Sequence, residues 1–435
     1  MRRAATLSVT CFLPALCLLC AAAAAAQQGD DYLDAKAQDI ARWRQLKFGL
    51  FIHWGPVSLK GTEIGWSRGG ERRGRRGSGP IPAEVYDNLY KQFNPTKFDA
   101  GQWVQVAKDA GMRYMVFTTK HHDGFCNFDT KLTDYKITSP QSPYQKDIVK
   151  QLADACHAGG IQWGIYYSPP DWHHPDYRTE NHPKYIEYLH GQLRELLSGY
   201  GEVSMIFFDG LGGKPADWDA HKLVKMCRQL QPGVIINNRL GLPCDNDTPE
   251  QRIGKMQTNR PWETCMTICR QWAWKPNDQM KSLKQCIQTL VRVVGGDGNL
   301  LLNVGPMPDG RIEPRQVERL REMGQWLKKY GESIYDTRGG PFPTAPWGVA
   351  TYREDTIYIH ILDPALEKLV LPPIPKKITA GSVLGGGTVA VKQGDESIEI
   401  AVPQADRQDI DTIVVLKLAA DGPTIREFQL FKSKN

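Results

Sequence analysis

The chain has 435 residues, with 54 Lys and Arg against 48 Asp and Glu and a net charge of +6 at pH 7. So small an excess lacks the basic footprint of a nucleic-acid binder. The length accommodates one large domain plus a smaller one, and ten cysteines at irregular spacing exclude a small disulfide scaffold.

Arg2 and Arg3 precede an apolar stretch over 4–20, and an alanine run ends at Ala26. This is the layout of a secretory signal peptide over 1–26. Its apolar part is too short to span a bilayer, and no later segment is long enough. The mature chain is expected to be secreted or periplasmic, without membrane contact once the leader is removed. Seven cysteines then remain, an odd number spread over a large domain.

From there the chain alternates. A polar helix over 30–45 leads to a first strand over 48–55. A Gly- and Arg-rich segment, 69–79, has nothing apolar to bury and is expected to be a mobile, solvated flap. Asp99 can cap a helix carrying Trp103, Val104, Ala107 and Ala110, stopped by Gly111. A strand over 113–118 runs to His121-His122-Asp123-Gly124. A helix whose face holds Ile148, Val149, Leu152 and Cys156 ends at Gly159-Gly160. A strand over 161–167 and a helix over 183–197 precede the central strand, 203–208, which ends abruptly in Asp209 and Gly210. A helix around 222–230 leads to a strand ending in Asn237-Asn238-Arg239. A short strand is expected to end at 261–264, a helix to span 283–294, a strand 299–306, and a last helix 314–329.

About seven strands alternating with helices predict a (β/α) barrel, irregular because little helix separates Arg239 from Glu263. Beyond Gly339-Gly340-Pro341 the period changes to two, with Ile357, Ile359 and Ile361, then Ile398 and Ile400. That pattern predicts a C-terminal antiparallel β-sandwich packing on the barrel. The expected domains are 27–338, the catalytic barrel, and 339–435, the sandwich.

In a barrel the carboxyl ends of the strands carry the ligand groups. Here they offer His53-Trp54, His121-His122, Tyr166-Tyr167, Asp209, Arg239, Trp262-Glu263 and Asn303. Adjacent histidines on a strand point to opposite faces, which argues against a metal hydrolase. No Gly-x-Ser-x-Gly elbow supports a serine nucleophile, and no Gly-rich phosphate loop follows the first strand. Neither metal nor cofactor is expected. Two carboxylates among aromatic and hydrogen-bonding side chains suit glycoside cleavage, one attacking the anomeric carbon and the other protonating the departing oxygen. Glu263, with Trp262, Trp272 and Trp274 to lower the local polarity, is the expected acid; Asp209, kept ionised by Arg239, is the expected nucleophile.

The motifs at 48–55 (Phe-Gly-Leu-Phe-Ile-His53-Trp54-Gly), 119–125, 207–210, 237–239 and 298–306 resemble the α-L-fucosidases of glycoside hydrolase family 29. The match spans most of 48–336. The resemblance implies a (β/α) barrel with a C-terminal β-sandwich and metal-free, retaining release of L-fucose from oligosaccharides or glycoconjugates. It places Asp209 as nucleophile, and His53, His121, His122, Tyr167 and Arg239 against the fucose hydroxyls or ring, with Trp54, Trp66 and Trp274 as further sugar contacts. The acid/base loop varies within the family; Glu263 is preferred and Glu63 is its rival. The Gly/Arg-rich loop departs from the commoner pattern on the leaving-group side. Two alternatives stand beside this reading, an inactive fucose-binding, lectin-like barrel and a glycosidase for a related sugar such as a galactoside. An oligomer is compatible with either.

Overall fold

The computed structural model describes residues 32–430; the leader expected over 1–26 lies outside the described residues. Helix α1 (Ala37–Leu46) feeds β1 (Phe48–Ile52). The short α2 (Ala83–Tyr86) and α3 (Ala100–Asp109) precede β2 (Tyr114–Lys120). Next come α4 (Ile148–Gly159), β3 (Gln162–Tyr167), α5 (His182–Gly199), β4 (Met205–Phe208), α6 (Ala220–Leu230) and β5 (Ile235–Ile236). The barrel finishes with β6 (Glu263–Thr267), α7 (Leu283–Gly295), β7 (Asn299–Val304) and α8 (Pro314–Tyr330).

Local chemistry sets the helix starts. Asp99 accepts from the Gln102 N–H, Asp147 from the Lys150 N–H, and Ser282 with Gln285 forms a reciprocal capping box.

The seven parallel strands pair in the order β5-β4-β3-β2-β1-β7-β6, a curled sheet open between β5 and β6. An irregular segment runs through that opening, with parallel bridges Asn237–Asn246, Asp247–Trp262 and Glu250–Cys265. Pro249 O accepts from the Cys265 N–H and Cys265 O from the Gln251 N–H. The stretch that the sequence leaves without structure between Arg239 and Glu263 therefore acts as an irregular eighth stave.

Strand alternation divides the residues between two layers. Phe51, Tyr114, Val116, Tyr166, Met205, Phe207, Ile235, Cys265 and Leu301 fill the barrel interior, closed below by Trp43 and Leu46 of α1. Burying each such side chain is worth ~1.5–3 kcal/mol. Gly49 makes room inside: a Cβ there would lie 2.4 Å from the Tyr114 ring. The opposite faces of the strands pack against the helices.

The antiparallel part begins at β8 (Arg338–Gly339) and continues through β9 (Gly348–Arg353), β10 (Thr356–Ile361), β11 (Leu369–Leu371), β12 (Ile378–Val383), β13 (Ala390–Gln393), β14 (Ile398–Ala401) and β15 (Thr412–Leu418). The strands form a five-stranded sheet, β12-β15-β10-β9-β8, and a three-stranded one, β11-β14-β13. Ile357, Ile359, Ile361, Ile398 and Ile400 build its core. Tyr358 and His360 on the other face of β10 are buried too, because that face lies against the barrel. Val349 of β9 is so close to α7 that a Cβ on Gly295 would meet it at 2.4 Å. Cys126, Cys156, Cys227, Cys244, Cys265, Cys269 and Cys286 are all free and buried.

Candidate active site

A cavity of about 650 Å³ opens at the carboxyl ends of the strands. Asp209 stands in it one residue past β4. Tyr166 of β3 donates its hydroxyl to Asp209 Oδ2 at 3.0 Å, and Arg239 Nη1 donates to Oδ1 at 3.0 Å. His122 Nε2 lies 3.4 Å from Oδ2. Burial works against the charge, but His122 and the Arg239 guanidinium outweigh it and hold the Asp209 carboxyl well below the usual carboxylate range.

Arg239 is itself fixed. Its Nε donates to Thr248 Oγ1 at 2.9 Å, its Nη2 to Glu250 Oε2 at 2.8 Å, and the guanidinium lies 4.9 Å from the Phe207 ring centroid. One guanidinium thus gathers two carboxylates, Asp209 from β4 and Glu250 from the irregular stave. Glu250 lines the cavity and is 42% exposed at its side chain.

His53 follows β1, with Nδ1 2.6 Å from Asn303 Oδ1. The Asn303 amide donates to Trp272 O at 2.7 Å, which turns Oδ1 toward His53 and puts the imidazole proton on Nδ1. Burial pushes the His53 pKa down to about 3, so the ring is neutral. His121 stacks on Tyr166, centroids 5.4 Å apart and 6° from parallel, and burial pulls its pKa well down. It fits because Gly65, at φ +64°, brings bare backbone against it; a Cβ there would be 2.7 Å from Nδ1. His121 and His122 both serve the site, ring centroids 4.2 Å apart, because β2 ends at Lys120; strand alternation, expected to separate them, no longer applies. His122 Nδ1 reaches Ser168 Oγ at 2.6 Å, and that hydroxyl donates to Pro170 O at 2.6 Å.

The cavity brings together His53, Trp66, His121, Asp209 and Arg239, with His122 behind Asp209. Five expectations need correction. Glu263 begins β6 instead of ending a strand. It pairs in register with Asn299, the first residue of β7, and is fully buried at the floor of the barrel, where the Tyr114 hydroxyl donates to it. Thr267, at the upper end, is four residues on, ~13 Å at 3.3 Å per residue. Burial raises the Glu263 pKa to about 8, an effect of the sealed floor, remote from any leaving group. Its rival Glu63 accepts from the backbone N–H groups of Ile64, Trp272 and Ala273. It anchors the loop bearing Trp272 and does not line the cavity. Trp54 points away from the site, packed with Phe93, Phe98 and Trp103. Tyr167, one residue past Tyr166, faces outward and donates to Gln192 at 2.7 Å; Tyr166 holds the inward position. Trp274 is not on the cavity wall, whereas Trp272 is.

Sequence reasoning also missed Glu250. The available signal was Thr248-Pro249-Glu250 in a stretch lacking both helix and strand periodicity, where a long irregular connection is more often functional than filler.

The flap expected over 69–79 is pinned. Arg72 sits between Trp66 and Trp172, 5.2 and 5.1 Å from their ring centroids. Arg73 Nη1 donates to the carbonyls of His174, Pro175 and Tyr177.

An ionised carboxylate at a barrel strand end, a second carboxylate nearby, and aromatic rings and neutral imidazoles around them define a glycoside hydrolase working through two carboxylates. The family model for α-L-fucosidase matches residues 16–332, and the chain belongs to that family. It is 29% identical to mouse tissue α-L-fucosidase over 356 residues, 75% of this chain and 76% of the relative. The structure of α-L-fucosidase isoenzyme 1 from Paenibacillus thiaminolyticus superimposes with TM-score 0.79 at 35% identity, covering 88% of this chain and 99% of that one. A family 29 α-L-fucosidase from Bacteroides thetaiotaomicron, solved as a trapped covalent intermediate with 2-fluoro-fucosyl fluoride, gives TM-score 0.78 at 28% identity, covering 89% and 97%. Among the described residues no helix is long and apolar enough to cross a membrane.

Proposed function

We propose that the chain hydrolyses terminal α-L-fucosyl residues by double displacement, with Asp209 as nucleophile and Glu250 as acid/base. The observation that carries the reading is the single Arg239 guanidinium binding both carboxylates. Two carboxylates sharing one guanidinium favour the close pairing of a retaining glycosidase, whose carboxyl groups stand ~5–5.5 Å apart, over the wider gap of an inverting one. Ionised Asp209 attacks the anomeric carbon while Glu250, reached from solvent, protonates the departing oxygen. Glu250 then takes a proton from the water that releases fucose. His53 accepts from a sugar hydroxyl through Nε2, and Trp66 and Trp272 cover apolar sugar surface. A trapped covalent intermediate in a relative of the same fold supports the double displacement. We assign the barrel to 27–338 and the sandwich to 339–435, with export directed by a leader over 1–26; amino-terminal sequencing of the exported protein checks the cleavage.

The test is release of L-fucose from an aryl α-L-fucoside by wild type and Asp209→Ala, with and without azide. The expected result is activity lost in the variant and restored by azide as the inverted β-fucosyl azide. Unchanged turnover in Asp209→Ala sinks the assignment.

A further inference from the structure

Arg239 is paired with two carboxylates, Asp209 and Glu250, and two other guanidinium-bearing residues, Arg75 and Arg252, line the same cavity. Both are exposed, and neither has a carboxylate partner among the described residues. They come from different sides of the cavity. Arg252 lies two residues beyond Glu250 on the irregular stave, whose backbone is held there by the Thr264 hydroxyl donating to Arg252 O at 2.6 Å. Arg75 closes a tight turn with Arg72, made by the Arg75 N–H donating to Arg72 O at 2.6 Å and by Gly74 at φ +82°. Its guanidinium lies 5.4 Å from the centroid of the Trp66 ring, at the cavity wall.

The turn that presents Arg75 is built to stay put. Arg72 is clasped by two indoles and Arg73 by three carbonyls, so the next guanidinium is offered at a fixed place. Burial, and then the charge of Arg75 beside it, pull the Arg72 pKa below its ordinary value. With Asp209 and Glu250 set against Arg75, Arg239 and Arg252, the cavity lining carries one positive charge in excess. L-Fucose is neutral and makes no demand for such a charge. Arg252 follows Glu250 closely in the chain, and Arg75 stands beside Trp66 at the cavity wall.

We propose that Arg75 and Arg252 form a subsite for an anionic group, a sulfate ester or a carboxylate, on the sugar to which fucose is attached. This rests on the fucosidase reading and adds the substrate class. Planar guanidinium forks match either oxyanion bidentately, and the charge-assisted bonds favour the anionic substrate over its neutral analogue by about tenfold.

The experiment compares kcat/KM for three fucosyl-oligosaccharides of one skeleton, neutral, sulfated and carboxylated on the residue adjoining fucose. An aryl α-L-fucoside reports the underlying activity. Wild type is expected to prefer at least one anionic form by about tenfold, and the two arms tell sulfate from carboxylate. The preference should shrink as salt is raised. In Arg75→Gln/Arg252→Gln the anionic-to-neutral ratio should fall toward one, while Arg75→Lys/Arg252→Lys retains part of it. A wild-type ratio near one, or a ratio unmoved by the double glutamine variant, overturns the subsite while aryl-fucoside turnover leaves the fucosidase reading intact. No turnover of any fucoside by wild type overturns both.

Discussion

Tyr166 donates its hydroxyl to Asp209 Oδ2 at 3.0 Å. Tyr166 pairs in register with Phe207, so the side chain reaches up to the carboxylate standing just past the next strand's end. The bond stabilises the ionised form and fixes the orientation of the carboxylate. A hydrogen bond to a charged group is worth ~1.5–3 kcal/mol, so Tyr166→Phe should lower kcat/KM by about 10–100-fold. The acidic limb of its pH profile should shift to higher pH, because the carboxyl loses a donor that favours its charge. An unshifted profile with wild-type rates would remove Tyr166 from the site.

The neighbouring tyrosine behaves oppositely. Tyr167→Phe leaves the buried Gln192 Oε1 without its donor, at a cost of ~1–3 kcal/mol in stability. The change should appear as a lower Tm with kcat/KM within about twofold of wild type. A large loss of activity without loss of stability would return Tyr167 to the sugar site.

Glu250→Ala should separate substrates by leaving group. An activated aryl fucoside needs little protonation at departure, so its glycosylation step should slow far less than that of a natural glycoside, whose kcat/KM should fall by ~10²–10⁴. Azide added to the variant should give the retained α-fucosyl azide, having entered from the covalent intermediate. Equal losses on both substrates would move the acid role elsewhere.

Glu263 tests the other carboxylate. Its folded pKa is raised to about 8 from 4.5, so between those values the folded protein holds a proton that the unfolded chain has lost. Stability from this group therefore falls as pH rises from about 4.5 to about 8, by several kcal/mol in order of magnitude. Glu263→Gln keeps an acceptor for Tyr114 and removes the titration. The variant should be more stable than wild type at pH 8, match it near pH 4, and keep its activity. Denaturant midpoints across that range and one rate measurement decide it. A catalytic Glu263 would instead lose turnover.

Much of the barrel was legible because its signals are local. Apolar runs bounded by glycine, a cap such as Asp99, and an aspartate breaking off the run 203–208 each declare themselves within a few residues. The motifs around His53, His121, Asp209 and Arg239 identified the family without coordinates. What the sequence could not decide was facing and level. Whether Tyr166 or Tyr167 looks inward turns on the register of β3, and a one-residue shift exchanges the two faces. Whether Glu263 ends a strand or begins one turns on where β6 starts, a boundary set by its pairing with β7. Glu250 was illegible for a further reason. Its place beside Asp209 depends on an irregular stave stitched between β5 and β6 by isolated bridges, and on an arginine thirty residues past Asp209 that holds both carboxylates. The sequence by itself determined the architecture, the reaction family and the place of Asp209 at a strand end. The tertiary structure decided which carboxylate shares Arg239 with Asp209, because no local pattern encodes which side chain meets another across the opening of a curled sheet.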